Sequence, residues 1–142
     1  MKTIFLKEHE APRAWYVIDA ANKPLGRVAA KAALMLRGKH KTTFAPNQEI
    51  GDYVVIINAE KVAVTGNKAK DKMYYRHTGY VGGLKSVNFN ELIAKKPTEP
   101  LMLAIKGMLP KGPLGRKLLT NVKIYAGSDH PHKAQNPITA EV

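Results

Sequence analysis

One segment of the chain interleaves aromatic rings with cationic side chains, a combination that serves nucleic-acid binding. Between Lys72 and Gly83 the chain carries Tyr74, Tyr75, Arg76, His77 and Tyr80. Flat rings stack on unpaired bases, and the neighbouring glycines let the backbone approach phosphates closely. The same tyrosines could instead fill the core of a hairpin, and for any one tyrosine that alternative is at least as common. The RNA contacts predicted from this segment are Lys72, Tyr74, Arg76 and His77.

A second segment, residues 106–117, sets cations on a frame of glycine and proline. Such a loop is stiff, so little conformational entropy is lost when it binds an irregular phosphate backbone. A flexible linker has a similar composition, but Met108, Leu109 and Leu114 indicate a loop that is anchored to a core. The RNA contacts predicted from this loop are Lys106, Lys111, Arg116 and Lys117.

The net charge points in the same direction. The 142 residues include 23 Lys and Arg against 11 Asp and Glu, which gives a formal net charge of +12. Residues 20–48, 61–76 and 100–128 hold 16 of the 23 cations and, among the acids, only Asp71. A solvated face is the usual explanation of one charge run, but solvated faces mix both signs, so we favour phosphate binding. The first two blocks add the candidate contacts Arg27, Lys31, Arg37, Lys39, Lys41 and Lys68.

Catalytic chemistry has less support in the sequence. Asp19 follows a predicted strand, and ligands of open α/β sheets gather at the carboxyl ends of strands. A small RNA-processing or nucleotide-acting α/β enzyme that uses Asp19 is therefore the alternative function, although a turn or helix-cap acid is the commoner explanation. Gly107 and Gly112 have the spacing of a phosphate-binding P-loop, but Pro113 and Leu114 follow in place of Lys and Ser or Thr. We expect no catalytic residue and no small-molecule substrate.

Metal and cofactor sites are not indicated either. Cysteine is absent, which excludes disulfides, thiolate metal sites and cysteine nucleophiles. His130 and His132 flank Pro131, but no carboxylate or thiolate partner accompanies them. We expect neither a metal nor a cofactor.

The elements that position the candidate residues form an α/β pattern. Residues 15–18 are β-branched and aromatic and predict a strand. Residues 24–37 predict a helix, because apolar side chains recur at helical spacing between Pro24 and Gly38. Residues 53–59 form a continuous apolar run, which is typical of a strand covered on both faces. Strand, helix and buried strand together make a βαβ unit.

Shorter elements follow. The predicted elements are a short strand over 62–65, a projecting ribbon or ordered loop over 72–88, helices over 89–96, from 98 or 99 to 110 and over 114–120, and a last strand over 122–125. Residues 1–14 and 127–142 are polar and proline-bearing, so we expect extended tails there.

The length suits one compact domain. The N-terminus has an apolar run of only three residues, whereas a signal peptide needs roughly 7–15. No stretch approaches the roughly 18 apolar residues that span a bilayer. We expect a cytoplasmic protein with no membrane partner.

Several long motifs occur in order along nearly the whole chain. They include Ile105-Lys106-Gly107-Met108-Leu109-Pro110, Gly115-Arg116, Val122-Lys123-Ile124-Tyr125-Ala126-Gly127, Trp15-Tyr16-Val17-Ile18-Asp19-Ala20, Leu36-Arg37-Gly38-Lys39-His40-Lys41, Thr65-Gly66-Asn67-Lys68 and His77-Thr78-Gly79. This pattern resembles the bacterial family of large-subunit ribosomal protein thirteen. The chain departs from the family at residues 47–50, where Asn-Gln-Glu-Ile replaces the usual His-Val-Asp-Thr, and it matches loosely over 127–142.

The resemblance implies a structural constituent of the large ribosomal subunit that binds and helps fold 23S ribosomal RNA early in assembly, beside other ribosomal proteins. It also implies one three-layer α/β/α domain around a small, mainly parallel sheet, covering residues 1–142. The positions that it places on RNA are Arg27, Arg37, Lys39, Lys41, Lys68, Arg76, His77, Lys106, Lys111 and Arg116. A nonspecific DNA-compacting protein is a third hypothesis, but it would have little use for the tyrosine and glycine ribbon.

Overall fold

The computed structural model describes all 142 residues and is built around a four-stranded parallel sheet. Its strands are β1 (Trp15–Asp19), β2 (Tyr53–Ile57), β5 (Val122–Ile124) and β6 (Ile138–Thr139), in the order β5-β2-β1-β6. Val54, Val55 and Ile56 of β2 are fully buried, because both faces of this central strand are covered. The predicted α/β class with a small parallel sheet is confirmed.

Helix α1 (Leu25–Arg37) connects β1 to β2 and packs on the sheet. Its buried stripe consists of Leu25, Val28, Ala29, Ala32, Ala33, Met35 and Leu36. Pro24 occupies the N-cap, and Gly38 ends the helix in the left-handed conformation with φ of 80°. A side chain rarely adopts that conformation, which explains the glycine. The helix predicted over 24–37 is confirmed to within one residue.

The loop between α1 and β2 folds back closely onto the end of α1. A Cβ atom added to Gly51 would lie 1.7 Å from the carbonyl oxygen of Leu36, so the position has no room for a side chain. The amide of Asp52 donates to the carbonyl of Met35 at 3.0 Å. This close approach determines where the chain enters β2.

The predicted ribbon is an antiparallel hairpin of β3 (Met73–His77) and β4 (Leu84–Asn88). Tyr74 stands opposite Val87 and packs against the core. A single helical turn, α2 (Lys68–Asp71), precedes the hairpin.

The strand predicted over residues 62–65 is wrong. Ala63 makes only an isolated bridge to Pro24. A 3-10 turn ends at Lys61, and the chain turns again at Gly66, where φ is 60°, so no ladder has room to form.

Three further helices follow, in agreement with prediction: α3 (Phe89–Lys95), α4 (Glu99–Met108) and α5 (Pro113–Leu119). The Asn88 side chain caps α3 by accepting from the amide of Glu91 at 2.8 Å. Helix α4 packs mainly against α1, and α5 contacts both. The largest fully buried side chains of the core cluster are Ile18, Leu36, Ile56, Leu101, Ile105 and Leu118.

The other face of the sheet carries an aromatic stack. Successive side chains of a strand point to opposite faces, so Trp15 lies on the face of the sheet opposite to that of Ile18. Trp15 and Tyr53 stack with ring centroids 4.7 Å apart, and His132 stacks on Trp15 at 5.1 Å. The hydroxyl of Tyr125 lies 2.7 Å from Nε2 of His132. The C-terminal segment thus folds onto the sheet before it adds β6 to its edge. No helix has the length and apolar character that crossing a membrane requires.

Candidate nucleic-acid interface

Seven of the predicted contacts are exposed cations whose side chains form no hydrogen bond, ion pair or cation–π contact within the protein: Arg27, Lys39, Lys68, Arg76, Lys106, Lys111 and Arg116. Exposed cations that lack acidic partners repel one another, so an anionic partner stabilises such a surface. These residues come from α1, from the loop after it, from α2, from β3 and from the region of α4 and α5.

The cationic loop between α4 and α5 is anchored through Leu109 and the partly buried Leu114, as predicted, whereas Met108, the third predicted anchor, is exposed. Leu109 is buried at the end of α4, and Leu118 is buried in α5. A Cβ atom on Gly115 would lie 1.7 Å from the carbonyl oxygen of Pro110, so the turn folds tightly on α5. Lys106 lies in the last turn of α4, and Lys111 lies within this tight turn.

Lys41 has an internal role in the structure. Its ammonium lies 2.8 Å from Oδ1 of Asp52 and donates to the carbonyls of Pro12 and Ile50, each at 2.8 Å. Only 16% of the side chain is exposed. His40 approaches the other carboxylate oxygen of Asp52 at 3.0 Å. These contacts tie the N-terminal segment to the loop before β2.

Lys117 is likewise engaged with carboxylates. It pairs with Glu8 and lies 2.8 Å from Oε2 of the buried Glu49. The hydrogen bond with Glu49, and then that with Glu8, raises the pKa of Lys117. Lys117 therefore joins α5 to the N-terminal segment.

Glu49 is the centre of this polar cluster. Arg13 donates to its Oε1 at 2.8 Å, and the amide of Asn121 also donates to it. Burial on its own would raise the pKa of Glu49, but the hydrogen bonds from Lys117, Asn121 and Arg13 outweigh burial and lower the pKa to about 2. Glu49 lies in the segment where the chain departs from the family pattern.

Arg37 and Lys31 are half-buried. The guanidinium of Arg37 donates to the carbonyl of Pro46 at 3.1 Å and lies 5.5 Å from the ring centre of Phe44. Its Nη1 is buried without a hydrogen-bond partner. Arg37 therefore packs against the loop that follows α1.

The hairpin separates its tyrosines into two groups. Tyr74 packs against the core, its hydroxyl is buried without a partner, and burial raises its pKa. The ammonium of Lys72 lies 5.5 Å from its ring centre. In contrast, Tyr75 is 65% exposed and Tyr80 is 80% exposed. The rings that can stack on bases are thus Tyr75 and Tyr80, and Tyr74 fits the hairpin-core alternative.

His77 begins the tip of the hairpin. Its Nδ1 accepts a hydrogen bond from the amide of Gly79 at 2.9 Å, while the ring itself is exposed. Gly79 and Gly82 have φ of 91° and 70°, the left-handed region that glycine tolerates best.

Sequence reasoning missed Lys85, Lys95 and Lys96. All three are exposed, and they border one groove with Arg76. For Lys85 the signal was available only through the hairpin register, which pairs it with Arg76, whereas Lys95 and Lys96 lie at the end of α3.

Asp19 lies at the carboxyl end of β1, but its carboxylate is engaged in hydrogen bonds that stabilise a turn. It accepts hydrogen bonds from the backbone amide of Ala21 and the side-chain amide of Asn58, both at 2.9 Å. The hydrogen bond from Asn58, followed by that from Ala21, lowers the pKa of Asp19. A carboxylate held in this way stabilises the turn and is a weak general base.

The histidines of the C-terminal segment form contacts within the protein. His132 is bound to Tyr125 and stacks with both Trp15 and His130. Burial, and then the charge of His130, lowers the pKa of His132. No three His, Asp or Glu side chains converge in a way that could hold a metal ion.

Comparison with known proteins identifies the family. A family model described as Ribosomal protein L13 matches residues 13–131. The protein named Large ribosomal subunit protein uL13 from Treponema denticola is 85% identical over 142 residues, all of both chains. The protein of the same name from Treponema pallidum (strain Nichols) is 69% identical over 138 residues, 97% of each chain, and that from Hydrogenovibrio crunogenus is 59% identical over 137 residues, 96% of each.

The aligned regions include the parallel sheet, the hairpin and the cationic turn. The matched family consists of structural ribosomal proteins without catalytic residues. The chain therefore belongs to the ribosomal protein L13 family.

Proposed function

We propose that the chain binds 23S ribosomal RNA through the cations that its own fold leaves unpaired. Its function is that of a structural constituent of the large ribosomal subunit. The observation that supports the RNA-binding surface is the set of seven exposed, unpaired cations described above. In a chain of net charge +12, an anionic partner relieves their mutual repulsion.

The binding surface is dispersed over several elements. Phosphate contacts of this kind fix the position and shape of RNA and carry no base sequence. We propose that Tyr75 and Tyr80 add stacking on unpaired bases beside these contacts, and that Lys31, Arg37, Lys72, Tyr74 and His77 support the surface from its margins. Lys41 and Lys117 hold the N-terminal segment and are left out of the proposed surface.

A dispersed surface that touches several RNA segments favours an early place in assembly. Each phosphate contact makes log K fall by about 0.7 to 0.9 for every tenfold rise in salt, so binding through many such contacts weakens steeply as the salt concentration rises. We propose that the chain acts in the cytoplasm, helps to fold the RNA and lies beside other ribosomal proteins.

Sedimentation tests this proposal. The native chain is expected to sediment with large subunits at constant stoichiometry before and after a moderate salt wash. Arg116→Glu is expected to weaken its retention after the wash, while the matched variant Lys133→Glu, at an exposed position in the C-terminal segment, leaves retention unchanged. Chain found mainly free of subunits would overturn the proposal, as would equal retention of the two variants.

A further inference from the structure

Two cations face each other across the hairpin. The register of β3 and β4 pairs Arg76 directly with Lys85, two positions along from the pair of Tyr74 and Val87. Side chains two residues apart share a face of a strand, so both cations lie on the face that packs towards α3 and α4. Like charges in directly opposite positions destabilise a two-stranded sheet. The free hairpin therefore contains a repulsive pair.

That face forms one wall of a groove of about 430 Å³. Lys95 and Lys96, at the end of α3, border the same groove. Two carboxylates, Glu91 and Glu99, also line it, which leaves an excess of two positive charges. Neither carboxylate comes within 4.0 Å of a cation in the groove, as the ion pairs of the protein all lie elsewhere.

Apart from Ser86, the remaining lining is apolar or aromatic. Tyr74, Val87, Leu92 and Leu103 contribute to the walls. A groove of this volume is within the range of about 300 to 1,000 Å³ that accommodates small ligands, so it is large enough for a single nucleotide. A cationic rim next to apolar walls suits a phosphate together with its sugar or base.

We infer that this groove holds one unpaired nucleotide of the ribosomal RNA, with its backbone phosphate between Arg76 and Lys85. The inference rests on the proposed RNA-binding function and names a site within it. The planar guanidinium of Arg76 can bind two phosphate oxygens at once, and Lys85 adds a second positive charge. Tyr75, one position from Arg76 in β3, presents its exposed ring on the opposite face of the hairpin, where it offers a separate stacking surface for a neighbouring base.

Site-specific photo-crosslinking tests the site in assembled particles. A benzophenone amino acid replaces Leu103, a groove residue that is 37% exposed, and salt-washed large subunits are irradiated. The expected product is a crosslink to RNA at one short unpaired segment. A crosslink to a ribosomal protein would identify an acidic protein segment as the occupant and overturn the inference, and so would the absence of any crosslink.

A double substitution provides the control within the site. Arg76→Gln with Lys85→Gln is expected to lower the crosslink yield at least several-fold, while Lys2→Gln with Lys133→Gln leaves the yield unchanged. Failure of the wider RNA-binding proposal is distinguished from failure of this site, because in that case the chain itself would be missing from the salt-washed subunits.

The thermal midpoint of unfolding of the free protein tests whether Arg76 and Lys85 repel each other. If the two cations repel each other, Lys85→Gln leaves the midpoint unchanged or raises it. A drop of several degrees, relative to Lys133→Gln, would show that Lys85 stabilises the fold, and it would contradict the inference.

Discussion

The guanidinium of Arg13 and the carboxylate of Glu49, 36 residues apart in the chain, lie 2.8 Å from each other in the interior of the protein. Arg13 also donates through Nε to the carbonyl of Gly51 at 2.9 Å. Because Lys117 and Asn121 also contact this carboxylate, the N-terminal segment, the loop before β2 and the end of α5 meet at Glu49.

Loss of this carboxylate is expected to destabilise the fold strongly. Glu49→Gln should lower the free energy of unfolding by about 3 kcal/mol, because it leaves Arg13 without its buried counter-charge. Urea unfolding measures the loss. Glu8→Gln is the matched control, since Glu8 contacts the same Lys117 but its side chain is 41% exposed, and solvent-accessible pairs contribute at most about 1 kcal/mol. Equal losses in the two variants would contradict a central role for Glu49.

The same carboxylate makes stability depend on pH. Its pKa is about 2 in the folded protein against an ordinary value of 4.5. The lower folded-state pKa means that ionised Glu49 stabilises the fold fully above about pH 4.5, and that this contribution is lost as the pH falls towards 2. Thermal midpoints between pH 6 and pH 3 should therefore fall more steeply for the native chain than for Glu49→Gln. Parallel curves would show that other groups cause the acid sensitivity.

Two glycine-to-alanine substitutions are expected to change the stability of the protein in opposite directions. Gly51→Ala should cost about 3 kcal/mol or more, because its Cβ would overlap the carbonyl oxygen of Leu36. Gly26→Ala should stabilise the protein by about 0.5 to 1 kcal/mol, since Gly26 lies in α1 with open space around its Cβ position. Denaturant unfolding of both variants measures the difference, and a stable Gly51→Ala protein would refute the close approach.

We expect Tyr74 and Tyr75 of the hairpin to have different functions, with Tyr74 part of the core and Tyr75 part of the RNA-binding surface. Tyr74→Phe removes a buried hydroxyl that has no partner, so stability should stay the same or rise by about 1 kcal/mol, with normal retention in subunits. Tyr75→Ala should leave stability nearly unchanged but weaken RNA binding by about 1 to 3 kcal/mol, the usual contribution of one stacked base. Retention after salt washing, together with the thermal midpoint, measures both effects. The reverse pattern would place Tyr74 on the RNA.

Local patterns predicted most of the fold. The apolar stripe of α1, the continuous run of β2 and the cap at Asn88 are each determined by neighbours in the sequence, so periodicity and capping rules identify them. Strand β6 was missed, because two residues carry too little pattern to be distinguished from a tail.

The candidate surface was predicted less completely, for a physical reason. Whether a cation is free depends on distant residues. Lys41 and Lys39 look alike in the sequence, yet only Lys41 meets Asp52, which the fold of the loop brings next to it. The pairing of Arg76 with Lys85 likewise depends on hairpin register, which composition does not reveal.

The position of β6 has a consequence for synthesis. Strand β1, the first to be made, has β2 on one side and β6 on the other, so its outer edge stays unsatisfied until the last residues of the chain are made. An open strand edge invites pairing with other chains. A nascent chain of this topology carries that exposed edge until Ile138 and Thr139 have been made, and their pairing with β1 closes it.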